Sequence, residues 1–185
     1  MTMNYLIRQE EPEDYGKVRE VLRSAFSREG KDPVFNEWNL VEKIRASQFY
    51  IRQLSLVSEV DGIIVGHILF STMTINGPKT VFNTLALAPL AVHRDYQRQG
   101  VGRQLVRSAI ERAKRLGFRS MIVMGDPDYY CKFGFEPAAK RRIGTTEDFA
   151  DPCLLALELV KDGLLGVSGI VQYCPLFYNE NRDLI

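Results

Sequence analysis

The chain has 185 residues, 45% of them hydrophobic and 25% charged, with a net charge of +1. That length and balance fit one globular domain with a sizeable core, and near-neutrality gives no electrostatic signature of nucleic-acid or anionic-membrane binding. Cys131, Cys153 and Cys174 have neither disulfide-framework nor zinc-ligand spacing. The start lacks a basic-then-apolar leader pattern and no run approaches about 18 apolar residues, so a soluble, cytoplasmic protein is expected.

In chain order, "YLIRQ" reads as a short strand and "EPEDYGKVREVLRSAF" as a helix. Pro12 and the acidic residues around it suit a helix start. Tyr15, Val18, Leu22 and Ala25 recur at helical spacing as a buried stripe. "SREGKD" is a loop, and a second helix is expected over Phe35–Ala46. The next strands, "LSLVSEV" and "IIVGHILFSTMTI", flank Asp61-Gly62, a pair suited to a two-residue hairpin turn. Asn76-Gly77 repeats that signal before "TVFNTLALAPLAV", which completes an antiparallel meander. Pro89, inside the third strand, has no N–H for a sheet ladder and marks either an irregular edge or a bulge where the sheet opens.

From Gly100 to Leu116 the pattern turns helical, with Leu105, Ala109, Ile110, Ala113 and Leu116 on one face and Gly117 as C-cap. "SMIVM" follows as a parallel crossover strand, and Asp126 caps a short helix whose first residue is Pro127. "FGFEPA" and "CLLALEL" read as final strands around the polar insert 139–152, and the tail run "GIVQYCPLFY" is expected to pack.

The segment "QRQGVG", Gln97 to Gly102, joins the third meander strand to the long helix. A helix N-terminus has N–H groups without intrahelical partners and about half a positive charge. Glycines at 100 and 102 let an anion approach that backbone, the physics of a phosphate cradle. A Walker loop is excluded because no GxxxxGK(S/T) run occurs, and the dinucleotide fingerprint lacks its third glycine.

"QRQGVG" resembles the coenzyme A diphosphate loop of the GNAT superfamily of N-acetyltransferases. "LAPLAVHRDYQRQGVGRQLVRSAIERAKRLGF" is similar to that family's central motif. "YYCKFGFEPA" is similar to the motif after it, with a tyrosine four residues before the Gly-Phe pair. "GDPDYYCKFGFEPA" resembles a YhbS-like bacterial branch. The resemblance implies an α/β (α+β) GNAT-like fold: a mixed central sheet with an antiparallel N-terminal meander, splayed at the cofactor strand and flanked by helices. It implies a single acetyltransferase domain over 1–185, with 85–138 as the acetyl-CoA-binding core and 163–185 as a packed C-terminal extension.

It further implies an acetyl-CoA-dependent N-acetyltransferase acting by direct attack of an amine in a ternary complex. Amides from Arg98, Gln99, Gly100, Val101, Gly102 and Arg103 would hold the diphosphate, with Gln97 opening the motif. Leu90, Ala91 and Val92 would offer main-chain groups to the pantetheine arm, and the Leu90 amide would polarise the thioester carbonyl. Tyr130 matches the family's general acid, whereas Tyr129 is expected to be structural. The family's cofactor-contacting asparagine, seven residues before that tyrosine, is replaced by Val123. The partner is an amine acceptor, small molecule or protein amine; no nucleic acid, membrane or metal is implied, and homodimerisation is left open. A non-catalytic acyl-CoA-binding domain, another acyl group and an oxygen nucleophile stand as alternatives.

His67 in the meander, or Glu37 or Glu42 on the second helix, could serve as a base toward the acceptor, directly or through water; a satisfied His67 and exposed glutamates are the plainer readings. His93 is expected at the surface. Cys131 has no histidine beside it in sequence to form a thiolate pair, which argues against a covalent route.

Overall fold

The computed structural model describes residues 5–26, 37–146 and 151–179. The expected loop 27–32, the start of the second helix at 35–36, and parts of the 26–38 and 139–152 segments lie outside the described residues.

The first strand, β1 (Leu6–Gln9), leads through a short 3-10 turn, Pro12–Asp14, into α1 (Tyr15–Phe26). Arg8 fixes this start: its guanidinium donates to both carboxylate oxygens of Asp14, at 2.6 and 2.9 Å, and to Glu59 at 3.0 Å. Asp14 in turn accepts from the Glu11 amide at 2.9 Å, satisfying an N–H left over at the turn. Helix α1 buries Val18, Val21 and Leu22. Tyr15, expected in the buried stripe, is instead exposed and receives the Arg45 guanidinium over its ring at 4.0 Å. Helix α2 (Glu37–Arg45) lies antiparallel to α1: Tyr15 meets Arg45, Arg19 meets Glu42, and Arg23 stacks on Trp38 at 5.1 Å.

Strands β2 (Leu56–Val60), β3 (Ile63–Asn76) and β4 (Val81–Val92) form the expected meander. Asp61 and Gly62 both have positive φ, 49° and 79°, the backbone a type I′ turn requires. The β3–β4 connection differs from expectation. Its loop is four residues, 77–80, closed by Gly77 N–H donating to Thr80 O at 2.9 Å. Gly77 is needed there for contact, since a Cβ would sit 2.7 Å from Ser168 O.

Helix α3 (Val101–Arg115) packs across β2, β3 and β4, burying Leu105, Val106, Ala109, Ile110 and Ala113. Leu116, expected on this face, is exposed because the helix ends before it. Gly117, with φ 85°, terminates it, and Phe118 N–H returns to Ala113 O at 3.1 Å. Position 66 sets how closely α3 approaches: a Cβ on Gly66 would meet Val101 Cγ1 at 2.8 Å and Leu105 Cδ1 at 2.9 Å.

The remaining elements are β5 (Ser120–Met124), α4 (Pro127–Tyr130), β6 (Glu136–Pro137), β7 (Ile143–Gly144), β8 (Leu154–Glu158) and β9 (Gly169–Gln172). The sheet order is β1-β2-β3-β4-β5-β8-β6, mixed because β4 and β5 are parallel. The tail packs as expected: β9 pairs with the far end of β3, and Tyr173, Cys174 and Phe177 join the core under α1 and α2. A second apolar cluster fills the α3 face.

Two departures from regular pairing create an opening. Ile68 faces Leu90 and Phe70 faces Leu87, so Leu69 stands opposite both Ala88 and Pro89, a β-bulge at the expected proline. The parallel pairing of β4 with β5 covers only Leu85–Leu87 against Met121–Val123. The β4–β5 pairing ends at Leu87, and among the described residues no other strand pairs with that side of β4 as far as Val92.

Candidate active site

The β3–β4 register fixes which β4 main-chain groups face the opening. His93 N–H donates to Val65 O at 2.8 Å, so this antiparallel pair exchanges ladder bonds. Alternation along the ladder then turns Ala91 toward β3 and aims Leu90 and Val92 away from it, into the gap beside β5. Of the three residues expected to offer main-chain groups, Ala91 is therefore engaged within the sheet.

The chain leaves β4 through a turn at Arg94–Tyr96 and reaches α3 by a loop stitched to itself. Gln97 Nε2 donates to Val92 O at 3.1 Å, and Gln99 Nε2 donates to Asp95 O at 2.8 Å. Tyr5 donates to Gln99 O at 2.9 Å. Arg98 and Gly100 have φ of 60° and 97°, and the Gly100 conformation is the one that favours glycine. The i−4 bonding of α3 begins at Gln104 N–H to Gly100 O, 3.1 Å, so the amides before it point out of the helix end. No acidic residue occupies the first turn of α3, whereas Arg103 does. A cation at the positive end of a helix dipole is unfavourable unless an anion joins it.

A cleft of about 410 Å³ opens over this helix end. Leu90 and Val92 form one wall, Gln97, Arg98, Gly100, Val101, Gly102 and Arg103 the floor, and Ala25 and Phe26 at the end of α1 another side. Ala91 and Gln99 are not among its lining residues: the first lies buried under α1, the second turns its side chain onto Asp95.

Helix α4 brings Tyr129 to the opposite edge of the cleft, while Tyr130, expected as the general acid, packs beside it and is not among the cleft's lining residues. Asp126 caps it as expected, accepting from Asp128 N–H at 2.9 Å. Consecutive residues on a helix point about 100° apart, so Tyr129 and Tyr130 have different surroundings. Tyr130 is 8% exposed, its ring set edge-on to Phe135 at 5.6 Å and pressed on the Gly125 backbone at the end of β5. Burial pushes its phenol pKa upward. Tyr129, expected to be structural, lines the cleft itself, half-buried. Burial raises its pKa, and Arg103 opposes that rise. The "FGF" spacing singles out Tyr130, and only the change of direction between neighbours on a helix signals Tyr129.

The residues weighed as bases separate clearly. His67 is completely buried, in no open cleft. Its Nε2 lies 3.2 Å from Ser55 Oγ and 3.4 Å from Glu10 Oε1, and Glu10 also accepts from Arg45 and from Ser55 Oγ at 2.7 Å. Burial alone would raise the Glu10 pKa, but the hydrogen bonds and charges of His67 and Arg45 outweigh it and bring it down to about 2. This cluster ties β1, α2 and β3 together. Glu42 is exposed and paired with Arg19. Glu37 continues the inward stripe of Leu40, Val41 and Ile44, with one carboxylate oxygen buried and unpartnered among the described residues, and burial raises its pKa. His93 caps the Arg94–Tyr96 turn by accepting from Asp95 N–H at 3.4 Å. Cys131 is an exposed free thiol, and Val123, at the asparagine position, is buried in β5. Among the described residues no cluster of metal-ligating side chains occurs, and no helix is long and apolar enough to cross a membrane.

Residues 11–135 match the model of the acetyltransferase (GNAT) family. The chain belongs to the GNAT family of acetyltransferases. It is 30% identical over 168 residues to the uncharacterized N-acetyltransferase YhbS of Escherichia coli strain K12, covering 91% of this chain and 95% of that one. The crystal structure of E. coli YhbS in complex with CoA superposes with a TM-score of 0.82 at 30% identity, covering 96% of this chain and 93% of YhbS. A GNAT family acetyltransferase from Brucella melitensis, solved with acetyl-CoA, gives a TM-score of 0.75 at 28% identity over 95% and 99% of the two chains. The uncharacterized N-acetyltransferase YjhQ of E. coli K12 is 36% identical over 126 residues, 68% of this chain and 66% of YjhQ. The mixed sheet with its antiparallel meander is thus the GNAT fold.

Proposed function

We propose that this GNAT protein transfers the acetyl group of acetyl-CoA directly to a primary amine, on a small molecule or a protein, in one ternary complex. One observation carries the reading: a single cleft joins a glycine-opened helix N-terminus to a strand whose outer main-chain edge, beyond Leu87, has no partner strand among the described residues.

The residues suit such a coenzyme. Amides from Arg98 to Arg103, the helix dipole and two arginines would meet the diphosphate. The edge at Leu90 and Val92, which lacks a partner strand although Val92 O accepts from Gln97 Nε2, would take the pantetheine arm as an added strand, Ala91 contributing by holding that edge against β3. Acetyl-CoA would supply the activated acyl group, and the YhbS and Brucella complexes support that choice.

The Leu90 N–H would polarise the thioester carbonyl, a fixed dipole aimed where negative charge develops. The amine nitrogen bonds to the acetyl carbon, the carbon–sulfur bond breaks, and its electron pair goes to sulfur. Tyr130 would donate its O–H to that sulfur, and the proton lost from nitrogen returns through water, so the protons balance. A thiol near pKa 8.5 is a stronger acid than a phenol near 10, and burial weakens Tyr130 further as an acid. Its contribution is therefore a hydrogen bond that strengthens as charge builds on sulfur.

Free-thiol release from acetyl-CoA over a panel of amines and protein N-termini tests this. Amine-dependent release is expected, and Tyr130→Phe should lower turnover about 10²-fold or more with CoA affinity retained. Equal turnover in the variant would remove the phenol from the chemistry. CoA binding with no amine-dependent release would overturn the transfer itself.

A further inference from the structure

The Tyr129 hydroxyl reaches the first turn of α3, where a Cβ on Gly102 would stand 2.7 Å from its oxygen. Its ring is held from behind, edge-on to Tyr130 at 5.0 Å and to Phe133 at 5.4 Å, so the hydroxyl position is set by packing. The residue shares the cleft with Arg98, Gly100 and Arg103. Among the described residues the hydroxyl has no hydrogen-bond partner, and it is open to the cleft that it lines. A donor without an acceptor, fixed beside uncapped amides and an arginine, is one side of an anion site.

We infer that the Tyr129 hydroxyl donates a hydrogen bond to the diphosphate of bound coenzyme A, and that Gly102 lacks a side chain to leave room for it. This rests on the reading that the coenzyme binds at this loop. It assigns Tyr129 to cofactor recognition, separate from the hydrogen bond that Tyr130 offers the thioester sulfur. The pair also gives position 102 a second reason to be glycine besides access to the backbone: any side chain there displaces the phenol.

Tyr129→Phe keeps the ring contacts and removes only the donor, so calorimetric titration reads the hydrogen bond alone. Dissociation constants would be measured with three probes: CoA, ADP (diphosphate without the arm) and pantetheine (arm without the diphosphate). A hydrogen bond to a charged acceptor corresponds to roughly a tenfold or greater loss. That loss is expected for CoA and ADP, with pantetheine unaffected and the melting temperature of the variant within a degree or two of wild type. Undiminished CoA and ADP binding would overturn the inference. A loss confined to CoA and pantetheine would overturn it too, because the hydroxyl would then contact the arm. If the wild-type protein binds neither CoA nor ADP, the underlying cofactor reading fails instead.

Discussion

The Tyr130 ring lies so close to Gly125 that a Cβ at position 125 would come within 2.4 Å of its Cε2 and 2.8 Å of its Cδ2. Gly125 closes β5 at the mouth of the opening between β4 and β5, so this contact decides where the phenol sits. Its amide is also tied, donating to Cys153 O at 2.9 Å, which prevents the backbone from simply retreating.

Gly125→Ala should therefore cost about 1–3 kcal/mol, the usual range for inserting a methyl group into a filled site. Turnover should fall with it, because Tyr130 must move to admit the methyl. Thermal unfolding and steady-state rates measure both. A variant with wild-type melting temperature and wild-type rate would show that the ring shifts freely and that its position is unimportant.

Gly102→Glu places a carboxylate at the helix end and drives a side chain into the Tyr129 hydroxyl. Steric and electrostatic effects act in the same direction, so acetyl-CoA affinity should fall by about 10²-fold or more. Retained affinity by calorimetry would refute the cradle assignment of the Gly100–Gly102 loop.

Glu10 is expected to contribute to acid stability. Its pKa is about 2 in the folded protein against an ordinary 4.5. A carboxyl whose folded pKa is depressed contributes stability that is complete above the unfolded pKa and is lost as pH falls through the folded one. Glu10→Gln should be destabilised by about 3 kcal/mol near neutrality, since it leaves Arg45 without its buried counter-charge. Denaturant unfolding should then show the gap between wild type and variant narrowing as pH falls from about 4.5 toward 2. A gap independent of pH over that interval would mean that Glu10 is not ionised in the fold.

What the sequence made legible was local. The Asp61-Gly62 turn, α3 with its Gly117 cap, the Gly100–Gly102 loop and the packed tail all have short-range signatures in propensity or φ. The Pro89 bulge was readable too, because proline cannot serve a sheet ladder. The Glu10–Ser55–His67 cluster was not: Glu10 is 45 residues from Ser55, and no periodicity joins the members. Tyr15 escaped the apolar stripe because Arg45 covers its ring from α2. The Asn76-Gly77 turn failed because the tail approaches Gly77, a tertiary demand that outweighs the local preference for a two-residue hairpin. The split between Leu90 and Val92 on one side and Ala91 on the other depends on ladder register, which a single strand's sequence does not carry.

The last expectation separates direct transfer from a covalent cysteine intermediate. Cys131 adjoins Tyr130 on an exposed turn, and nucleophilic use of it would need a lowered thiol pKa from a neighbouring base or a helix N-terminus. It has neither. It follows the last residue of α4, and both histidines are committed elsewhere, His67 to the buried Glu10 cluster and His93 to the Asp95 turn. Direct attack requires only that the amine and the thioester meet at the opening beside Leu90, and such proximity can supply much of the rate without an acyl-enzyme. Cys131→Ser should accordingly retain most activity, and initial-rate plots against both substrates should intersect. Parallel lines, together with an acetylated Cys131 trapped by mass spectrometry when the amine is withheld, would establish the two-step route in its place.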